Sequence, residues 1–154
     1  MIFTEWETPQ DFFDTLNREF NFTLDACANN DNKKCSNYIS PEIDSLKCEW
    51  TGTVWLNPPF TKDIYKWIKK AYESSQNGNT VAVLMQGRSS DTKGWHEYVM
   101  KASEIRYIKG RLAFAKHGKT YNAPHMSCVL IIFRPYCKGP PTTYSINTKG
   151  EIIQ

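Results

Sequence analysis

No stretch of the 154 residues approaches the roughly 20 consecutive apolar residues that a membrane-spanning helix needs. The opening residues, Met1-Ile2-Phe3-Thr4-Glu5-Trp6, lack the basic start and apolar run of a secretory signal, so a cytoplasmic chain is expected. Cysteine is present five times, at 27, 35, 48, 128 and 137, with wide spacings and no Cys-x-x-Cys pair. An odd number so arranged excludes a disulfide framework and a zinc knuckle, leaving reduced thiols. The three histidines, His96, His117 and His125, have no partners at metal-ligand spacing, so no metal is expected. No Gly-x-x-x-x-Gly-Lys run occurs to cradle a phosphate. There are no internal repeats, and a net charge of +3 is too small by itself to argue for a nucleic-acid partner.

What is present reads as one globular domain, with 40% hydrophobic and 23% charged residues. Thr8-Pro9 is expected to open a helix, with Thr8 as its cap and Pro9 in the first turn; Phe12, Phe13, Leu16 and Phe20 follow at helical spacing. Phe22-Thr23-Leu24 reads as a short strand ending at Asp25, and Tyr38-Ile39 as another short extended piece. Thr53-Val54-Trp55-Leu56 is a buried strand that stops at Asn57-Pro58-Pro59, since two prolines cannot continue a ladder. Thr61 is expected to cap a second helix with Ile64, Trp67, Ile68, Ala71 and Tyr72 on its apolar face, ended by Asn77-Gly78. Val81 to Met85 is an unbroken apolar strand of the parallel-sheet type. A further helix is predicted from about Lys93 to Lys101, then two strands, Glu104 to Ile108 and Ser127 to Phe133, forming an antiparallel pair. The alternation predicts an α/β domain on a mostly parallel sheet over residues 1–134. Pro135, Gly139, Pro140 and Pro141 put the order of a tail, 135–154, in doubt. In such sheets ligands bind beyond the carboxyl ends of the strands, where Asp25 and Asn57 both fall.

Asn57-Pro58-Pro59-Phe60 is the most informative tetrapeptide in the sequence, and chemistry on an amine is expected of it. The exocyclic amine of adenine is a weak nucleophile because its lone pair is delocalised into the ring. Two acceptors taking its two N–H groups favour the more tetrahedral geometry that attack on an electrophilic methyl requires. The Asn57 side-chain oxygen supplies one acceptor and the Pro58 carbonyl the other, on a loop whose φ angles the prolines fix. Such acceptors act as preorganised electrostatics toward charge developing on the nitrogen. Phe60 offers a flat face to a base flipped out of the duplex.

Asn-Pro-Pro followed by Phe, Tyr or Trp after a strand is the signature of amino-group methyltransferases acting on adenine, cytosine or glutamine. From Trp6 to about Phe133 the chain resembles the phage N6-adenine DNA methyltransferase family. The segments that carry the resemblance are Trp6-Glu7-Thr8-Pro9, Leu24 to Ala28, Asp44-Ser45-Leu46, Trp50-Thr51-Gly52, Asn57 to Phe60, Leu84-Met85, Gly110 to Phe114 and Ala123 to Ser127. The resemblance implies a compact Rossmann-like methyltransferase fold and S-adenosylmethionine as methyl donor. It further implies double-stranded DNA as substrate and a phage- or prophage-encoded protein of a bacterial cell. It places Thr8 and Pro9 at the methionine end of the cofactor, Asp25 close to the cofactor's amino-acid part, and Asp44 near its adenine. Ala26, Cys27 and Ala28 are implied as backbone contacts. The family's Gly-x-Gly after the first acidic residue is replaced here by Cys27-Ala28-Asn29-Asn30. Asparagine tolerates left-handed backbone angles, which keeps a tight turn open to this segment.

Residues 104–125 hold Arg106, Lys109, Arg111, Lys116 and Lys119 against one acid, Glu104, with Tyr107, Phe114 and Tyr121 interleaved. A charge run is by default a solvated face. Next to the catalytic tetrapeptide, basic and aromatic residues together suit a DNA surface, the bases taking phosphates and Phe114 an extruded base. Two rivals stay open at this stage. One is an amino methyltransferase acting on protein glutamine or RNA; the other is a DNA-binding module that kept the fold and lost catalysis.

Overall fold

The structure is a computed structural model that describes residues 6–87, 90–116, 119 and 125–153. Helix α1 (Gln10–Phe20) leads to strand β1 (Leu24–Asp25), then β2 (Thr53–Leu56), α2 (Ile64–Gln76), β3 (Thr80–Gln86) and a short α3 (Lys93–Glu97). Strands β4 (Glu104–Ile108), β5 (Leu112–Ala113), β6 (His125–Met126), β7 (Cys128–Phe133) and β8 (Thr142–Ile146) follow. Among the described residues six of these strands form one sheet in the order β1-β2-β3-β7-β4-β8. β1, β2 and β3 are parallel to one another, as are β4 and β8. β7 is inserted antiparallel between β3 and β4, pairing Val83 with Ile131 on one side and Ile105 with Ile131 on the other. The expected α/β class, mostly parallel sheet and antiparallel pair are therefore present. Tyr38 extends the β1 edge through a single parallel bridge to Asp25.

Both faces of the sheet are covered, which explains why Val81 to Met85 of β3 and the whole of β7 are apolar instead of alternating. Val81, Val83, Met85, Val129, Ile131 and Phe133 pack with Trp67, Ile68 and Ala71 of α2 and Trp95 of α3. Ala82, Leu84, Leu130 and Ile132 pack with Phe12, Phe13, Leu16 and Phe20 of α1 and with Leu112 and Phe114. The four apolar side chains of α1 at helical spacing are all buried.

Three local expectations change. Pro9 stands one residue before α1, and no side chain caps the helix; Thr8 is turned elsewhere. At α2 the N-cap position is Asp63, with Thr61 receiving the Asp63 N–H on its hydroxyl (3.3 Å) and the Ile64 N–H on its carbonyl (3.1 Å). Residues 142–146 of the expected tail form β8, and Ile146 is fully buried in the α1-side core.

The reason β8 is needed lies on β4. Arg106 is 2% exposed. Its guanidinium donates to both carboxylate oxygens of Glu19 on α1 (2.8 and 2.7 Å) and to Glu104 on its own strand (3.3 and 3.4 Å). Phe20 lies 5.4 Å from it, and Tyr144, its register partner on β8, lies 6.0 Å away. Arg134 closes the group with a 2.8 Å bond to Glu104. Arg106 is thus an internal tie between helix and sheet, and it leaves the candidate DNA surface. Arg106→Ala leaves Glu104 with Arg134 and Glu19 partly solvated, so the loss expected in urea melts is that of the charge-assisted hydrogen bonds, about 1.5–3 kcal/mol. A loss below 1 kcal/mol would mean that Glu104 and Glu19 do not depend on it.

Candidate active site

Two neighbouring parallel strands, β1 and β2, deliver the site. β1 ends at Asp25, which sits in register with Trp55 of β2, so Asp25 and Asn57 leave the same edge of the sheet two positions apart. Pro58 and Pro59 are buried immediately beyond, and having no N–H they cannot extend the β2 ladder. The chain turns there, with the Thr61 N–H on the Pro59 carbonyl (3.0 Å), and enters α2.

A cleft opens at this edge, lined by Trp6, Glu7, Thr8, Asp25, Cys27, Asn32, Lys34, Trp55 and Asn57, with about 260 Å³ of space counting its open mouth. Four residues anticipated from sequence, Thr8, Asp25, Cys27 and Asn57, therefore meet in one cavity. The Asn57 side chain donates from Nδ2 to the Thr8 hydroxyl oxygen at 3.1 Å, across 49 positions of sequence. Thr8 is itself buried, and its segment is held by paired backbone bonds between Glu7 and Ala115 (2.6 and 3.0 Å). The N-terminal strip thus spans from the loop at Asn57 to the segment at Ala115. Phe60 is half-buried, and the ring of Phe114 meets it edge-on with centroids 6.2 Å apart.

Asp25 is a strongly perturbed acid in the cleft. Its carboxylate is 2% exposed and receives the backbone N–H groups of Cys27 on Oδ1 (3.2 Å) and Lys34 on Oδ2 (2.9 Å). Burial raises its pKa to about 7, against the lowering effect of those two hydrogen bonds and the Lys34 charge. Lys34 lines the same cleft half-buried, its ammonium donating to Gln10 Oε1 (2.7 Å), and burial lowers its pKa. Burial likewise pushes the neighbouring Cys27 thiol far up, which keeps it protonated and inert.

The loop after β1 shows how the chain manages without a glycine-rich turn. Among the described residues 26–34 no backbone angle is left-handed. Instead side chains stand in for backbone partners: Asn29 Oδ1 accepts the N–H groups of Asp31 (2.8 Å) and Asn32 (2.9 Å), and Asn32 Oδ1 accepts that of Asn29 (2.7 Å). The implied backbone contacts of residues 26–28 are correspondingly internal. The N–H of Ala26 goes to Trp55 O, that of Cys27 to Asp25, and that of Ala28 to Ile39 O. Ala26 and Ala28 are buried and lie outside the cleft lining, as do Pro9, Pro58, Pro59 and Phe60.

Asp44 is also apart from the cleft. It is exposed, and its carboxylate accepts the Leu46 N–H (3.1 Å) to start a 3-10 turn. The residue that ties this turn to the site is Ser45, whose hydroxyl donates to Ala26 O (2.6 Å) while Trp50 Nε1 donates to Ser45 (3.1 Å). Sequence reading passed over Ser45, Lys34 and Asn32. Lys34 and Asn32 carried no signal beyond an ordinary polar loop, but Ser45 stood inside a quoted segment.

Of the basic candidates, Lys109, Arg111 and Lys119 are exposed and Lys116 is half-buried, with Lys116 and Lys119 joined by two backbone hydrogen bonds (2.8 and 3.0 Å). Phe114 is 2% exposed, so it backs Phe60 instead of presenting a face of its own. Tyr121, Ala123 and Pro124 lie outside the described residues.

An open cleft at the carboxyl edge of a doubly covered α/β sheet, with an amide and a buried carboxylate in it, lies where α/β proteins commonly bind their ligands. A sequence model of the DNA N-6-adenine-methyltransferase (Dam) family matches residues 4–154, and the chain belongs to that family. It is similar to the DNA N-6-adenine-methyltransferase of Haemophilus phage HP1 (strain HP1c1), with 31% identity over 136 residues, covering 84% of this chain and 78% of the relative. The DNA N-6-adenine-methyltransferase of Escherichia phage T1 is 31% identical over 155 residues, covering 87% of this chain and 64% of that relative.

The Asp25 geometry sets a pH dependence. A carboxyl whose pKa rises from an ordinary 3.8 to about 7 on folding gives stability that is complete below the unfolded value and lost as pH climbs to the folded one. Asp25→Asn removes that loss. The difference in melting temperature between variant and wild type, both free of ligand, should therefore shift in the variant's favour from pH 5 to pH 8. A pH-independent difference would show that Asp25 does not titrate in this window.

Proposed function

We propose that this cleft transfers a methyl group from S-adenosylmethionine to the N6 amine of adenine in double-stranded DNA, on a Rossmann-like methyltransferase sheet. The observation that carries the reading is the single cavity shared by the Asn57 amide and the buried Asp25 carboxylate. The names of the phage relatives support adenine N6 in DNA as the target. They weigh against the glutamine, RNA and binding-module readings.

The donor set fits the cofactor. A buried carboxylate held by neutral backbone donors, with a half-buried lysine beside it, suits a ligand end that carries both an ammonium and a carboxylate. When bound, S-adenosylmethionine supplies a methyl carbon on a positively charged sulfur. Asp25 would hold the ammonium as an ionised carboxylate, and Lys34 would face the cofactor's carboxylate. Asn57 Oδ1 and the Pro58 carbonyl take the two N–H groups of the adenine amine, stabilising the positive charge that develops on its nitrogen. Phe60 stacks on the flipped base, and the edge of Phe114 fixes the plane of that ring. The exposed Lys109, Arg111 and Lys119 face the duplex.

Asn57→Ala should cost on the order of 100-fold or more in kcat while leaving cofactor affinity in place, as read by methyl transfer to adenine-containing DNA and by calorimetry. Turnover at the wild-type rate would overturn the assigned role. On the DNA side, Lys109→Ala should weaken binding to all sequences alike and lower the salt slope by about one. Arg111→Ala is expected to relax target choice, at about 1–3 kcal/mol on the preferred site. If both variants keep wild-type affinity, slope and preference, recognition lies on another surface.

A further inference from the structure

We infer that Thr8 is a positioning residue for the catalytic amide: its hydroxyl oxygen decides which end of the Asn57 side chain meets the substrate amine. The inference rests on the reading of Asn57 given above. A primary amide has two nearly isosteric ends, one donating and one accepting, and the torsion that exchanges them is soft and roughly two-fold. Only the oxygen end can take an N–H from adenine; the nitrogen end would set donor against donor. Something fixed must therefore hold the nitrogen end away, and in this cleft the Thr8 oxygen receives the Asn57 Nδ2–H at 3.1 Å.

Everything around Thr8 is consistent with that task. Its hydroxyl is not spent on α1, which starts at Gln10 with no side-chain cap. The residue is 2% exposed, so bulk water does not compete for the bond. The Glu7–Ala115 backbone pair on one side and the helix start on the other fix the backbone that bears it. A hydroxyl group so anchored gives Asn57 a preset orientation before DNA arrives. The amide then needs no reorganisation in the chemical step.

The test is steady-state and single-turnover methyl transfer by the full chain, with S-adenosylmethionine affinity measured separately by calorimetry. Thr8→Val keeps the shape and removes the oxygen. It should lower kcat about tenfold, the effect of one lost hydrogen bond, with cofactor affinity and DNA KM near wild type. Thr8→Ser, which keeps the oxygen, should restore kcat. In an Asn57→Ala background Thr8→Val should have no further effect, since the group it positions is gone. Thr8→Ala serves in the same comparison if the valine variant does not fold. Weakened cofactor binding with kcat retained would overturn the inference and make Thr8 a cofactor contact. Equal kcat in wild type, Val and Ala variants would overturn it while leaving the proposed reaction intact. Absence of methyl transfer by the wild type would overturn the reaction and this inference together.

Discussion

A strand in the middle of a sheet continues until its backbone can no longer pair, and here that limit is set by two consecutive prolines. β2 lies between β1 and β3, with hydrogen-bonding neighbours on both sides. Pro58 and Pro59 have nothing to donate, so the ladder ends at Leu56 and the chain must lift off at Asn57. Because β1 and β2 run in parallel, the same edge receives Asp25. The buried prolines fix the φ angles of the loop where it passes over the core, and Phe60 touches both apolar layers as it crosses. The site is a consequence of where the sheet is forced to stop.

Two buried charges in this chain illustrate opposite uses of the same cost. Arg106 is surrounded by opposite charge and by aromatic faces, so its desolvation is offset within the protein. Asp25 is met chiefly by neutral N–H groups, and its raised pKa records how incompletely burial is offset. The first pattern is that of a structural tie. The second is the pattern that carboxyls at functional sites commonly show.

Much of the frame was legible because it is written in local pattern. The unbroken apolar runs of β3 and β7, the proline stop after β2 and the spacing of Phe12, Phe13, Leu16 and Phe20 each report on burial by neighbours a few residues away. What was hidden depends on partners far along the chain. Arg106 resembled its basic neighbours until Glu19, 87 residues earlier, was found on it. Thr8 looked like a helix cap because Ser, Thr and Pro at a helix start usually mean that, yet its partner is Asn57. Asp44 was named from the family resemblance, whereas the link from its turn to the site runs through the neighbouring Ser45 hydroxyl, which reaches the Ala26 carbonyl. In the β1 loop, asparagine side chains took over the turn by hydrogen bonding and not by unusual backbone angles. β8 was obscured by Gly139, Pro140 and Pro141 just before it, although Thr142, Thr143 and Ile146 are good strand formers.

The way β8 is finished bears on how the molecule behaves in crowded solution. An open sheet edge offers unpaired amides and carbonyls to a strand of any neighbouring chain, which is how ordered aggregates begin. Here the chain doubles back after Ile146. Ile152 bridges to Ile146, Ile153 donates to Ser145 O (2.9 Å), and Asn147 donates to Glu151 O (2.9 Å). Part of this edge is thereby occupied by residues 147–153 of the same chain, which leaves, among the described residues of β8, a short stretch near Thr142 and Thr143 for strand addition. A stretch of two or three residues is too short a template for a stable foreign strand, so the β8 edge is protected against polymerising along the sheet.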